Sequence, residues 1–340
     1  MIAHQPGRAT IHDVARLAGV SIASVSRTLT GARRVRPDVA ERVRAAAEQL
    51  GYQADQVGRS LRRQETQTIG LVIADITNPF FPALVQAVEG ELREAGLGLL
   101  LADAQNDPGI EALGVRLLLG RRVDALLITP VDQRRSTAAV MSAARSVPVV
   151  QLDRVASGDV HYVGMDHDRA IADVLAHLAA GGRRHFAMIG SDPSMSTSWA
   201  RQSAFVERAS RLDPAAPDRV QVGDYSVEWG RTAAALIVER WPEVDALVCA
   251  NDLIGVGALQ ELHRRGVAVP QRVAVTGFDD TLLAAASEPA LTTVRQPVAE
   301  MAKRAVEIVT GAPPAEPVVR VSPPARLIVR ASSGGPGRSV

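Results

Sequence analysis

The sequence predicts an α/β chain: a small head of three helices, then a body of two similar lobes, each a parallel sheet covered by helices. Three observations carry this. Before residue 52 the apolar residues recur only at helical spacing, in three short runs. From Thr68 onward, apolar runs of strand length alternate with helical patterns, the order that yields parallel sheets. Finally, VDALLI at 123–128 is echoed by VDALVC at 244–249, in a chain whose 340 residues exceed what one core usually holds.

The first helix is expected from Ile11 to Ala18, with Ile11, Val14, Ala15 and Ala18 on one face and Gly19 ending it. Ser21 suits the N-cap of a second helix, 22–30, whose Val25 and Leu29 point inward. A third begins at Pro37 and stops at Gly51, burying Val39, Val43, Ala46, Ala47 and Leu50. Residues 1–51 thus form the head, the polar stretch 52–68 a hinge and linker, and 69–340 the body, divided near 160. Strands are expected at IGLVIAD, LGLLLAD, VDALLIT, VPVVQLD, HYVGMD, HFAMIG, RVQVGD, VDALVCAND and VAVTGFDD. A helix at 79–96 presents Phe81, Leu84, Val85, Val88, Leu92 and Ala95 together.

Asp75, Asp103, Asp153, Asp166, Asp224, Asn251 and Asp279 each directly follow an apolar run. Acids and amides there either cap the next helix or line a ligand cleft at the carboxyl ends of the strands. Asp252, just before a helix, reads as a cap.

Charge separates head from body. Residues 1–64 hold eleven arginines against five carboxylates, while the remainder holds 27 basic and 32 acidic residues. Only the head is therefore expected to meet a polyanion. The second helix shows Ile22, Ala23, Ser24 and Arg27 outward, and no carboxylate occurs from 14 to 37. A helix pair with this surface fits the DNA major groove, where arginine forks onto guanine and small apolar groups meet a thymine methyl.

These residues carry a resemblance. DVARLAGVSIASVSR, then LGY at 50–52 and RSL at 59–61, resembles the head of the LacI–GalR family of bacterial transcriptional regulators. IGLVIADITNPFF, RVDALLI, VPVVQLD, ANDLIGVGAL, VAVTGFDD and LTTVRQP continue the likeness in order across the body. The resemblance implies a helix-turn-helix head on a body like the periplasmic sugar-binding proteins. It also implies a repressor that binds a palindromic operator as a homodimer. DNA contacts would fall to Ile22, Ala23 and Arg27 at the bases, with Thr10, Ser21, Ser26, Arg36 and Tyr52 also on DNA. Leu61 would wedge into the minor groove from a hinge helix. The hinge departs from the family pattern in Ala54, Asp55 and Gly58, which predicts a segment that folds only on a specific site.

For the cleft, the resemblance points to Arg201, Asn251 and Asp279 as anchors and Tyr225 beneath the ligand, with Asp75, Asn78, Phe80 and Asp153 completing the lining. Arg201 and Asp279 could instead form an ion pair closing the lobes, and Phe80 could serve the core. Such a mixture suits a sugar or sugar derivative; a purine is the alternative in this family.

Other classes fit poorly. No glycine-rich phosphate loop or G-x-S-x-G elbow occurs, so the chain is not expected to be an enzyme, nor to hold a cofactor. His161 and His167 flank Asp166 without clear metal spacing, and no metal is expected. Cys249, the single cysteine, sits in an apolar run as a small hydrophobe. The lead MIAHQPGRAT lacks the apolar stretch of a signal peptide, and no run of 18 apolar residues exists. The expected location is the cytoplasm, on the nucleoid when operator-bound, with no membrane partner. A transport-type binding protein would leave the basic head unexplained. The C-terminal SSGGPGRSV lacks a leucine heptad, so a tetramerising coiled coil is not expected.

Overall fold

A computed structural model of the chain describes residues 9–30, 35–52, 66–311 and 318–334. The chain forms two compact units, 1–66 and 67–340. Leu61 and the hinge residues Ala54, Asp55 and Gly58 lie outside the described residues.

The first unit holds α1 (Ile11–Ala18), α2 (Ile22–Thr30) and α3 (Pro37–Gln49), where the sequence placed them. Thr10 caps α1 in a reciprocal box with Asp13, and Gly19 ends it in the left-handed region at φ 63°. Val14, Val25 and Val43 are fully buried and, with Ala15, Ala18, Ala46 and Ala47, make a small core. Ile11, Val20, Leu29, Val39, Leu50 and Tyr52 pack around its edge.

The second unit begins with β1 (Thr68–Ile73), α4 (Phe80–Glu94), β2 (Gly98–Asp103), α5 (Pro108–Gly120), β3 (Ala125–Ile128), α6 (Thr137–Ala144), β4 (Val149–Leu152) and β5 (His161–Val163). It continues with α7 (His167–Ala180), β6 (Phe186–Ser191), α8 (Ser196–Ala209), β7 (Val220–Gly223), α9 (Val227–Arg240), β8 (Ala246–Cys249), α10 (Asp252–Arg264), β9 (Ala274–Thr276) and α11 (Leu282–Ala286). The chain then returns through β10 (Thr293–Arg295), α12 (Val298–Thr310), β11 (Arg320–Val321) and β12 (Arg326–Ile328).

All nine expected strands form. With β11 added, they make two sheets in which every pairing is parallel, ordered β11-β5-β4-β3-β1-β2 and β7-β6-β8-β9. β5 pairs with β4, so the first lobe runs through Val163, and the second lobe's core opens at Met165. Three strands escaped the sequence reading. β10 and β12 pair antiparallel, and β11 extends the first sheet. Each has only two or three residues, too few to show a period. α12 returns to the first lobe and buries Met301, Ala302, Ala305 and Val306 in its core.

The internal echo is a structural repeat. β2-β1-β3-β4 and β7-β6-β8-β9 share one strand order, and the repeated motif forms the third strand, β3 or β8, of each lobe. The motif's aspartate does the same job twice. Asp124 accepts from the Thr68 amide at 3.3 Å, and Asp245 from the Arg184 and His185 amides at 3.0 and 2.9 Å, fastening the start of each lobe's first strand. In the second lobe α9 and α10 cross so closely that a Cβ on Gly257 would run into the carbonyl of Val227. Cys249 is buried among apolar neighbours, and burial pushes its thiol up, out of reach of thiolate chemistry. Among the described residues no helix is long and apolar enough to cross a membrane.

Candidate functional site

In the head, Ile22, Ala23 and Arg27 are exposed on α2. Ile22 is 42% exposed, which leaves an apolar side chain at the surface of α2. The Ser21 hydroxyl caps this helix, accepting from the Ser24 amide at 3.2 Å and lying 3.0 Å from the Ser24 hydroxyl. Arg27 is steadied by donation from Nε to the Ala23 carbonyl at 3.2 Å. Thr10 is exposed and spends its hydroxyl on Asp13 at 2.6 Å, which with the Thr10 amide holds that carboxyl below its usual range. Arg36 pairs with Asp38 at 3.2 Å, Ser26 is half-buried, and Tyr52 leans half-buried on the core. The structure thus gathers Ser21, Ile22, Ala23 and Arg27 on one short element.

In the body, a cavity lies between the lobes. From the first lobe it is lined by Asn78, Phe80 and Phe81 at the start of α4 and by Asp153 and Arg154 after β4. The second lobe and its return strand add Thr197 and Arg201 of α8, Tyr225, Asp279 and Gln296. The lobes are drawn together by Gln133, whose amide donates to the Ser194 carbonyl at 2.8 Å, and by the Val155 amide donating to Ser196 Oγ at 2.9 Å. The cavity's accessible volume is about 10 Å³, room for about one water. A wider groove of about 610 Å³ lies between α9 and α10, but its arginines are paired with its own acids and Gln260, as in Arg264–Glu261 and Arg231–Gln260. Its polar groups are already satisfied, so it is the smaller cavity that has chemistry to offer.

Six of the eight expected residues line the cavity: Asn78, Phe80, Asp153, Arg201, Tyr225 and Asp279. Phe80 also belongs to the first lobe's core. Asn251 and Asp75 do not line it. Asn251 caps α10, accepting from the Ile254 amide at 3.0 Å. Asp75 accepts from the Thr77 amide and hydroxyl at 2.9 and 2.6 Å and from Asn106 Nδ2 at 2.8 Å. Because Asn251 takes the cap, Asp252 is not one. It is buried and accepts from the Thr281 amide at 2.7 Å and the Thr293 hydroxyl at 2.6 Å, tying α10 to β10. Phe81, Arg154, Thr197 and Gln296 were missed. Arg154 directly follows Asp153, and Gln296 stands inside LTTVRQP, so both signals were in view.

Arg201 is the best-held group in the cleft. Its Nη1 donates to the Ala250 carbonyl at 2.6 Å, its Nε to His167 Nδ1 at 3.3 Å, and its Cζ lies 3.7 Å from the Phe278 ring centroid. Accepting that bond requires a neutral His167, and burial, reinforced by the Arg201 charge, lowers this imidazole well below its usual value. Arg201 Nη2 is 3.6 Å from Asp279. Both groups belong to the second lobe, so the pair does not clasp the lobes together. Burial raises the Asp279 carboxyl to about 7 although Arg201 opposes the shift, and Gln296 Nε2 donates to it at 2.7 Å. Asp153 is likewise raised by burial, against Arg154. Asp153 and Asp279 both hold positive φ, 64° and 105°, the kind of backbone strain that collects at ligand sites. Among the described residues, no three His, Cys, Asp or Glu side chains converge as a metal site would need.

Comparison with known proteins matches this division. Residues 10–55 match the family model described as bacterial regulatory proteins, lacI family, and residues 175–333 match a periplasmic binding protein-like domain. The HTH-type transcriptional regulator AscG of Escherichia coli K12 is 32% identical over 296 residues, covering 86% of this chain and 88% of AscG. Among solved structures, the lac repressor dimer bound to operator and the anti-inducer ONPF shares the fold at TM-score 0.87 and 24% identity, covering 96% of this chain and 99% of that one. A transcriptional regulator CelR–cellobiose complex matches at TM-score 0.69 and 31% identity, covering 96% of this chain and all of that chain. These relatives are regulators, not enzymes. The chain belongs to the lacI family of bacterial regulatory proteins and is a DNA-binding transcriptional regulator.

Proposed function

We propose that the chain is a cytoplasmic repressor that binds a palindromic operator as a homodimer and answers to a sugar held between its lobes. The observation that carries the effector half is the buried cleft itself, where charged and amide groups stand beside aromatic rings with several polar atoms unpaired. Hydroxyls both donate and accept, and a sugar's C–H face packs on rings such as Tyr225, so a sugar answers this lining better than a nucleobase. The likeness to a cellobiose-bound regulator supports the same reading. Asn78, Phe80, Asp153, Arg201, Tyr225 and Asp279 are the contacts, with Asp75 and Asn251 supporting the walls. A cavity sized for one water cannot hold a sugar, so the lobes must part for entry.

On the DNA side, Ile22, Ala23 and Arg27 read base edges while Thr10, Ser21, Ser26, Arg36 and Tyr52 position the head. Leu61 enters the minor groove. The dimer forms through an apolar face of the first lobe. Edge strand β2 leaves Leu100 and Leu101 39% and 43% exposed, and α5 leaves Leu113 and Leu117 47% and 59% exposed. Exposed leucines on these two adjoining elements suit an interface. Opening or closing of the cleft shifts the first lobes across that face. By linkage, a sugar that weakens operator binding must itself bind the operator-bound form more weakly.

The test is a thermal-shift screen of neutral sugars and nucleobases on the full chain, followed by duplex retention with each hit. A sugar is expected to raise the melting temperature and change operator affinity. Stabilisation by nucleobases alone would refute the sugar reading.

A further inference from the structure

Arg154 is the anomaly of the body. Its side chain is 4% exposed, yet it makes no hydrogen bond among the described residues, and its Nε and Nη1 are buried without a partner. Among the described residues it lies over the Phe81 ring, 5.3 Å from Cζ, and beside Asp153, 3.9 Å from Nε, and its charge also acts on the buried Glu111 carboxyl. A guanidinium stripped of water and left with unanswered donors is destabilising, and native folds rarely tolerate it without a ligand or water to complete it. Neighbouring Asp153 is in the same position, with Oδ1 buried and unpaired. So are Tyr225 OH and the Gln296 carbonyl oxygen on the opposite side of the cleft.

We infer that Arg154 is a specificity residue which, with Asp153, clamps adjacent hydroxyls of an uncharged polyol and selects against anionic sugars. The inference rests on the sugar reading above and narrows it. Inventory decides the class. The unpaired set holds donors (Arg154 Nε and Nη1), acceptors (Asp153 Oδ1 and Gln296 Oε1) and the Tyr225 hydroxyl, which is both. A carboxylate or phosphate only accepts. It would satisfy Arg154 but leave Asp153 and Gln296 unanswered, with a negative charge set against Asp153. Neighbouring hydroxyls answer all of them. Beside the two guanidiniums, Arg154 and Arg201, stand two carboxyls, Asp153 and Asp279, both raised by burial and so able to donate to a hydroxyl as well as accept from one. Arg201 cannot substitute for Arg154, because the Ala250 carbonyl and His167 already occupy it.

The experiment titrates the full chain with cellobiose, glucose, galactose and ribose, and in parallel with glucuronate, gluconate and glucose 6-phosphate. It is repeated on Arg154→Met and Arg154→Lys. The expected result is that a neutral sugar binds at least ten-fold tighter than any charged one. Arg154→Met is expected to weaken it about 100-fold, the loss of two charge-assisted hydrogen bonds, and Arg154→Lys less. Without ligand, Arg154→Lys keeps the charge that faces Asp153 and is expected to melt within about 3 °C of the parent chain. A Lys variant melting lower than that would make Arg154 structural and overturn the inference. Undiminished sugar affinity in the Met variant, or tightest binding by an acid or phosphate, would overturn it while leaving the sugar reading intact. If no sugar of either kind binds, both fall together.

Discussion

The head and the body solve opposite recognition problems. The head's candidate base contacts lie on its surface: Ile22, Ala23 and Arg27 are exposed, and the Thr10 and Ser21 hydroxyls are spent on helix ends. In the body they are hidden, since Asp153, Arg154 and Arg201 are at most 4% exposed and Asp153 and Arg154 carry unpaired atoms. A surface that needs no rearrangement suits a large rigid partner carrying its own charge. A buried, incompletely bonded cleft suits a small partner that must be let in, and on the proposed reading its entry parts the lobes. The difference teaches that regulation is built where burial leaves hydrogen bonds unmade, not where charge is densest.

The comparison can be broken at several points. The largest effect should come from Phe81→Ala, which empties a fully buried site in the first lobe and removes the ring beneath Arg154. It should cost about 3–5 kcal/mol. Calorimetry should show the body's transition falling while any separate transition of the head stays, and equal shifts in both would merge the two units energetically. Arg27→Ala should lose about 1–3 kcal/mol at one base pair and relax sequence preference there, checked by binding to a set of singly substituted duplexes. A uniform loss across all duplexes would make Arg27 a phosphate contact instead. Thr10→Ala should lower the head's stability by about 1 kcal/mol through the lost cap, measured by chemical denaturation.

The smallest effect is the body's response to pH. Asp279 is raised to about 7 and Asp252 to about 6, both above the unfolded value near 4. Between those values the folded chain keeps protons that the unfolded chain has lost, so these groups make stability fall as pH rises from about 4 to about 7. Asp279→Asn should flatten the upper part of that slope. A melting temperature that rises across the window in the parent chain, with no change in the variant, would contradict the burial account.

Most of this was legible from the order of residues, for identifiable reasons. The three head helices announce themselves because Pro37, Ser21, Gly19 and Gly51 mark their ends while valines and alanines mark their faces. The nine sheet strands read clearly because parallel strands buried on both faces are continuous apolar runs. The return strands did not, being too short for a period and defined only by distant partners. At the site, the acids at strand ends were visible but their uses were not. Asn251 bonds to the Ile254 amide, Asp75 to Thr77 and Asn106, and Asp252 to Thr281 and Thr293, because which polar group caps a helix and which joins two elements depends on where neighbouring loops arrive. Arg154 was passed over because a lone arginine after a strand reads as surface, and only its burial shows otherwise.

The most direct test of the whole account is selection of duplexes by the full chain from a randomised pool at low salt, with the winners then titrated with salt. The account predicts an inverted repeat, bound by two chains, whose affinity falls steeply as salt rises because the basic head displaces counterions from phosphates. Enrichment of no sequence, or of a single half-site held by one chain, would contradict it.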